Sequence, residues 1–116
     1  VKSADDMSTQ STDLVLIEDN EEFSEILSYL YKLKNKSVAV YHSPYILFEN
    51  LHKHSPASKI CLDYNLNCPI NGVDLAKSLY VRGYKNLYLA TGFEMAQDTL
   101  PTYIILLKEK MDVINL

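Results

Sequence analysis

Lys59-Ile60-Cys61-Leu62-Asp63 decides the fold of this 116-residue chain. The run is too short for a buried helix, its inner residues are apolar, and it stops on a carboxylate. It is therefore predicted as a strand covered on both faces. The same form recurs along the chain. Leu14-Val15-Leu16-Ile17 ends at Glu18-Asp19, Leu87-Tyr88-Leu89-Ala90 ends at Thr91, and Ile104-Ile105-Leu106-Leu107 ends at Lys108. A parallel sheet covered by helices brings the residues just past its strands to one edge, where such folds place ligands. One site built from four segments is the expectation.

The intervening segments carry helical signals. Asp19 and Asn20 can cap a helix whose first turn holds Glu21 and Glu22, with Phe23, Ile26, Leu27, Leu30 and Leu33 at helical spacing. Lys32, Lys34 and Lys36 close it, where cations suit the helix dipole. Ser37 to Tyr41 is a short β-branched and aromatic strand. Ser43-Pro44 then reads as a cap and first helical position before Ile46, Leu47 and Leu51. After Asp63 comes a loop through Pro69 to the turn pair Asn71-Gly72. A third helix follows, with Val73, Ala76, Leu79 and Tyr80 on its inner face and Gly83 as its stop.

Composition limits the function. One domain over residues 13–116 is expected, preceded by a polar stretch, residues 1–12, that reads as a flexible linker or expression remnant. A net charge of −4 argues against nucleic-acid binding. Cys61 and Cys68 lack zinc-like spacing and a disulfide framework, which fits a reduced, cytoplasmic setting. The unbroken apolar runs are far shorter than the ~20 residues of a membrane span, so no direct membrane contact is expected, although a parent protein could be tethered. With glycine only at 72, 83 and 92 there is no P-loop or dinucleotide fingerprint.

In that order, Glu18-Asp19, Asp63, Thr91 and Lys108 resemble the receiver domain of bacterial response regulators, over nearly the whole chain. The resemblance implies a flavodoxin-like, doubly wound α/β fold, a five-stranded parallel sheet of order 2-1-3-4-5. It implies Asp63 as the phosphorylated residue and Mg²⁺ as cofactor. Glu18, Asp19, Asp63 and the backbone carbonyl of Asn65 would be the metal set, with Glu18 acting through water. Thr91 and Lys108 would bind the phosphoryl group, and Asn65 and Phe93 would tune dephosphorylation. The donor would be a phosphohistidine on a histidine kinase or histidine phosphotransfer domain. The domain would then be a signalling phosphoacceptor rather than an enzyme.

Three departures are visible. The loop after Asp63 is one residue longer than the commonest form. Only 16 residues separate Thr91 from Lys108, and eight follow Lys108, so shortened fourth and fifth helices are expected. Lys108 precedes Glu109 rather than proline, and Lys110 competes with Lys108 for the phosphate role. In the family the fourth helix, fifth strand and fifth helix form the dimerisation or output face, and a reduced version of it resembles receivers attached to sensor kinases, as in hybrid histidine kinases. Two other functions fit parts of the pattern. A pseudo-receiver would keep the fold as an interaction module without phosphorylation. A haloacid-dehalogenase-type phosphatase would need an acid two residues after Asp63, and Asn65 cannot supply that proton.

Overall fold

The computed structural model describes residues 12–92 and 94–116. The expectations for the first eleven residues and for Phe93 fall outside the described residues. Five strands form one parallel sheet: β1 (Leu14–Ile17), β2 (Val38–Tyr41), β3 (Lys59–Asp63), β4 (Asn86–Ala90) and β5 (Ile104–Leu106). Their spatial order is β2-β1-β3-β4-β5. This is the expected flavodoxin-like order, and the point where it reverses lies between β1 and β3. Register there is tight, with Ile17 opposite Leu62 and, on the other side of β3, Asp63 opposite Ala90.

Alternation along β1 explains why both faces are covered. Leu14 and Leu16 pack with Leu27, Tyr31, Cys61 and Val113, whereas Val15 and Ile17 pack with Leu47, Leu62, Leu75, Leu79 and Leu89. The first set lies under α1 (Glu21–Leu33) and the C-terminal segment. The second lies under α2 (Pro44–Asn50) and α3 (Gly72–Val81). A strand apolar at every position is thus buried at every position.

The caps are local. Asn20, not Asp19, caps α1 by accepting from Phe23 N–H at 3.0 Å, and Ser43 caps α2 by accepting from Ile46 N–H at 3.2 Å. Asn71 and Asp74 form a reciprocal capping box at the start of α3. Gly83, at φ +100°, ends α3, and Tyr84 N–H returns to the Leu79 carbonyl at 3.0 Å.

α1 is rotated from the expected stripe. Ser24, Leu27 and Tyr31 face the sheet, while Ile26 and Leu33 are more than half exposed. Tyr31 turns inward because its hydroxyl donates to the Val113 carbonyl at 2.9 Å, an anchor supplied by the far end of the chain. Burial pushes this phenol up to about 12. Lys34 Nζ, at the C-cap of α1, also donates to the Ile114 carbonyl, so this helix and its cap hold the final segment twice.

Among its described residues, the stretch expected to hold a stunted fourth helix contains one 3₁₀ turn, Gln97–Thr99. The Gln97 side chain donates to the Ile104 carbonyl at 2.7 Å and accepts from Leu106 N–H at 2.8 Å. One amide therefore pairs with β5 as a neighbouring strand would, which blunts an open edge. The last segment, Lys110–Asn115, is also 3₁₀. No described helix is long and apolar enough to cross a membrane.

Candidate functional site

The carboxyl ends of β1, β3 and β4 lie side by side, and each delivers a polar group that is buried: Glu18, Asp63 and Thr91. Asp19, one residue farther, is exposed. Oxygens of Glu18, Asp19 and Asp63 all lie within 4.8 Å of one another. Among the described residues, these carboxylates form the acidic cluster with the spacing of a metal site.

Each member is held differently. Glu18 N–H donates to the Tyr41 carbonyl at 3.0 Å, and the Glu18 carbonyl lies 2.9 Å from His42 Nδ1, which must therefore carry the proton. Its two carboxylate oxygens are both engaged, Oε1 with Lys110 Nζ at 2.9 Å and Oε2 with Asn20 N–H at 3.1 Å. Asp63 closes β3. Burial raises its pKa to about 6, the charges of Glu18 and Asp19 add to that effect, and Lys110 and the Tyr64 backbone N–H oppose it. A carboxyl crowded by two others gains from a cation.

The cation that the chain itself supplies is Lys110. Its ammonium is 2.9 Å from Glu18 and 3.8 Å from Asp63 Oδ2, and it lies 4.6 Å from the centroid of the Phe23 ring. Lys108 is exposed and lines a cleft beside Thr91 and Lys110 rather than pairing with the carboxylates. The geometric position expected of Lys108 thus belongs to Lys110. β5 stops at Leu106, and Glu109 and Asp112 form a capping box that makes Lys110 the first residue of the last 3₁₀ segment. That acidic pair at a spacing of three was the signal in the sequence that could have favoured Lys110. Phe23, expected only as a core residue, was missed as part of the site.

Asn65 lies in the exposed loop after Asp63, where its side chain accepts from Asn67 N–H at 3.1 Å and Asn67 adopts a left-handed φ of 56°. The loop closes when Gly72 N–H donates to the Tyr64 carbonyl at 2.8 Å.

Lys110 and Lys108 separate cleanly by substitution. Lys110→Ala leaves the buried Glu18 carboxylate without its cation and is expected to cost about 2 kcal/mol, less than a fully buried pair because Lys110 still meets solvent. Lys108→Ala is expected to stay within about 0.5 kcal/mol of the parent. Urea denaturation of both variants measures the difference.

No family model matches this chain, and no curated protein matches it.

Proposed function

We propose that this domain is a phosphoacceptor module of the receiver type, in which Asp63 takes a phosphoryl group from a phosphohistidine on a kinase or phosphotransfer partner. The observation that carries the proposal is a buried carboxylate at the end of a central strand, grouped with two more carboxylates and approached by an ammonium. A structural ion pair would need only one acid for Lys110; three within 4.8 Å suit a site that receives further positive charge.

The donor set fits Mg²⁺. Oxygen ligands alone, two of them on Asp19 and Asp63, match a hard cation that keeps several waters. Glu18, with both oxygens already engaged, fits a role through water. When bound, the ion would screen the repulsion between a carboxylate nucleophile and an anionic phosphoryl donor.

The remaining chemistry belongs to the chain. An Asp63 oxygen attacks phosphorus in line, a P–O bond forms, the P–N bond of the phosphoimidazole breaks, and its electron pair stays on the imidazole nitrogen. The product is an acyl phosphate. Lys110, already between Glu18 and Asp63, would offset charge on the phosphoryl oxygens as a point cation, and the Thr91 hydroxyl at the end of β4 would donate to one of them.

Intact-mass measurement after incubation with acetyl phosphate and Mg²⁺ tests the proposal. One phosphoryl adduct is expected, absent in Asp63→Asn and absent when the metal is chelated. No adduct on the parent protein would leave the fold as an interaction module only.

A further inference from the structure

The lysine of this site comes from a 3₁₀ turn rather than from the end of a strand, so the sheet does not fix its position. A closed circuit of contacts does. Glu18 Oε1 holds Lys110 Nζ at 2.9 Å, Glu18 Oε2 accepts from Asn20 N–H, Asn20 Oδ1 accepts from Phe23 N–H at 3.0 Å, and the Phe23 ring lies 4.6 Å from the same ammonium. Phe23 is half-buried against the β1–α1 core, so its ring is braced from behind.

We infer that Phe23 is a positioning residue for phosphoryl transfer, its ring face holding the Lys110 ammonium beside Asp63. The inference rests on the phosphoacceptor function proposed above. The ring attracts a cation through its quadrupole, and the attraction strengthens where water is partly excluded. It favours one place for a long side chain that otherwise has many rotamers to choose from. An ammonium has three N–H donors, so those not turned toward the ring remain available to oxygen. Leucine at position 23 would keep apolar packing but lose this hold, whereas tyrosine would keep it.

Two measurements test the inference. The first is the rate of adduct formation from acetyl phosphate at saturating Mg²⁺ for Phe23→Leu, Phe23→Tyr, Lys110→Ala and the Phe23→Leu/Lys110→Ala double variant. Phe23→Leu is expected to slow transfer about fivefold, with Mg²⁺ affinity unchanged within about twofold, and Phe23→Tyr to restore the rate. In the Lys110→Ala background the leucine substitution should slow nothing further. An equal loss in both backgrounds, or no loss in the parent background, overturns the inference.

The second measurement does not depend on phosphoryl chemistry. In protein labelled with ¹³C-lysine, the Lys110 ε-methylene protons should carry an upfield ring-current shift that Phe23→Leu abolishes and Phe23→Tyr preserves. Absence of that shift in the parent protein overturns the inference by itself. A protein that shows the shift but forms no adduct would retain the contact and refute phosphoryl transfer, so the two failures are distinguishable.

Discussion

Gly72→Ala is expected to destabilise the domain by at least about 3 kcal/mol, the largest loss among the three glycine-to-alanine changes. A Cβ at position 72 would lie 2.2 Å from the Asp63 carbonyl oxygen and 2.9 Å from its carbon, with Leu89 Cδ1 at 3.0 Å. The first two atoms are backbone at the end of a central strand, where neither β1 nor β4 leaves room to move. Relief would require α3 to lift from the sheet, and that would break the Gly72 N–H bond to Tyr64 and displace Asp63 with it. For a domain of this size the loss corresponds to a fall in Tm of roughly 10 °C or more.

The other two glycines are the controls. Gly92→Ala meets nothing within 4 Å and should be nearly neutral, while Gly83→Ala has space but is held at φ +100° and should cost about 1 kcal/mol. Thermal unfolding of the three variants gives the ranking. A Gly72→Ala protein as stable as the parent would mean that α3 does not approach β3 as described.

Asp63→Asn is expected to raise the stability of the metal-free protein at neutral pH. Burial first and the neighbouring Glu18 charge second raise the Asp63 carboxyl pKa in the folded protein to about 6, from an ordinary 3.8. A raised carboxyl pKa means that the folded state binds the proton more tightly. The contribution of this group to stability is therefore greatest below about pH 4, falls as pH rises through about 6, and stays lower above it. A shift of two units corresponds to about 3 kcal/mol, but the carboxylate keeps some solvent contact, and screening reduces the expected gain to about 1–2 kcal/mol. The amide variant should match the parent near pH 4 and exceed it at pH 7. The difference between the two urea profiles removes contributions that other carboxyls make to both.

Divalent cations should invert that order. An ion that binds the folded parent through Asp63 stabilises it by mass action, about 2.7 kcal/mol at a concentration one hundredfold above Kd, and stabilises the amide variant far less. A parent protein that is more stable than Asp63→Asn at pH 7 without metal would contradict the crowding of charge at this site.

Legibility of the fold in the sequence followed the range of the interactions involved. β1 and β3 were plain because a strand buried on both faces must be apolar throughout, and their terminal acids needed no tertiary information. The Ser43-Pro44 start and the Gly83 stop were equally local. The inward face of α1 was not, because a phenol 82 residues from its carbonyl partner decides which side of the helix is buried. The scarcity of residues between Thr91 and β5 announced a shortened helix, but not that a glutamine amide would take the place of a strand. Asn71-Gly72 was legible as a turn and helix start; the contact that forbids a side chain at 72 exists only once α3 meets β3.

The candidate site divides the same way. Glu18, Asp19, Asp63 and Thr91 were predictable as strand-end residues, and parallel pairing brings their backbones together. The lysine was not settled by strand-end logic, since β5 stops before Lys108 and the following turn swings Lys110 toward the acids. Phe23 was hidden for a different cause. An aromatic residue at helical spacing carries no sign of the cation that its face will meet.

The most direct measurement is anomalous diffraction from crystals of the protein soaked in Mn²⁺, a hard cation of similar preference to Mg²⁺ that scatters strongly enough to locate. A single peak is expected at the carboxyl edge of the sheet, bound by oxygens of Asp19 and Asp63. A map without a peak there, or with Asp63 turned away from Asp19, would contradict the convergence of these strand ends on one cation-holding site.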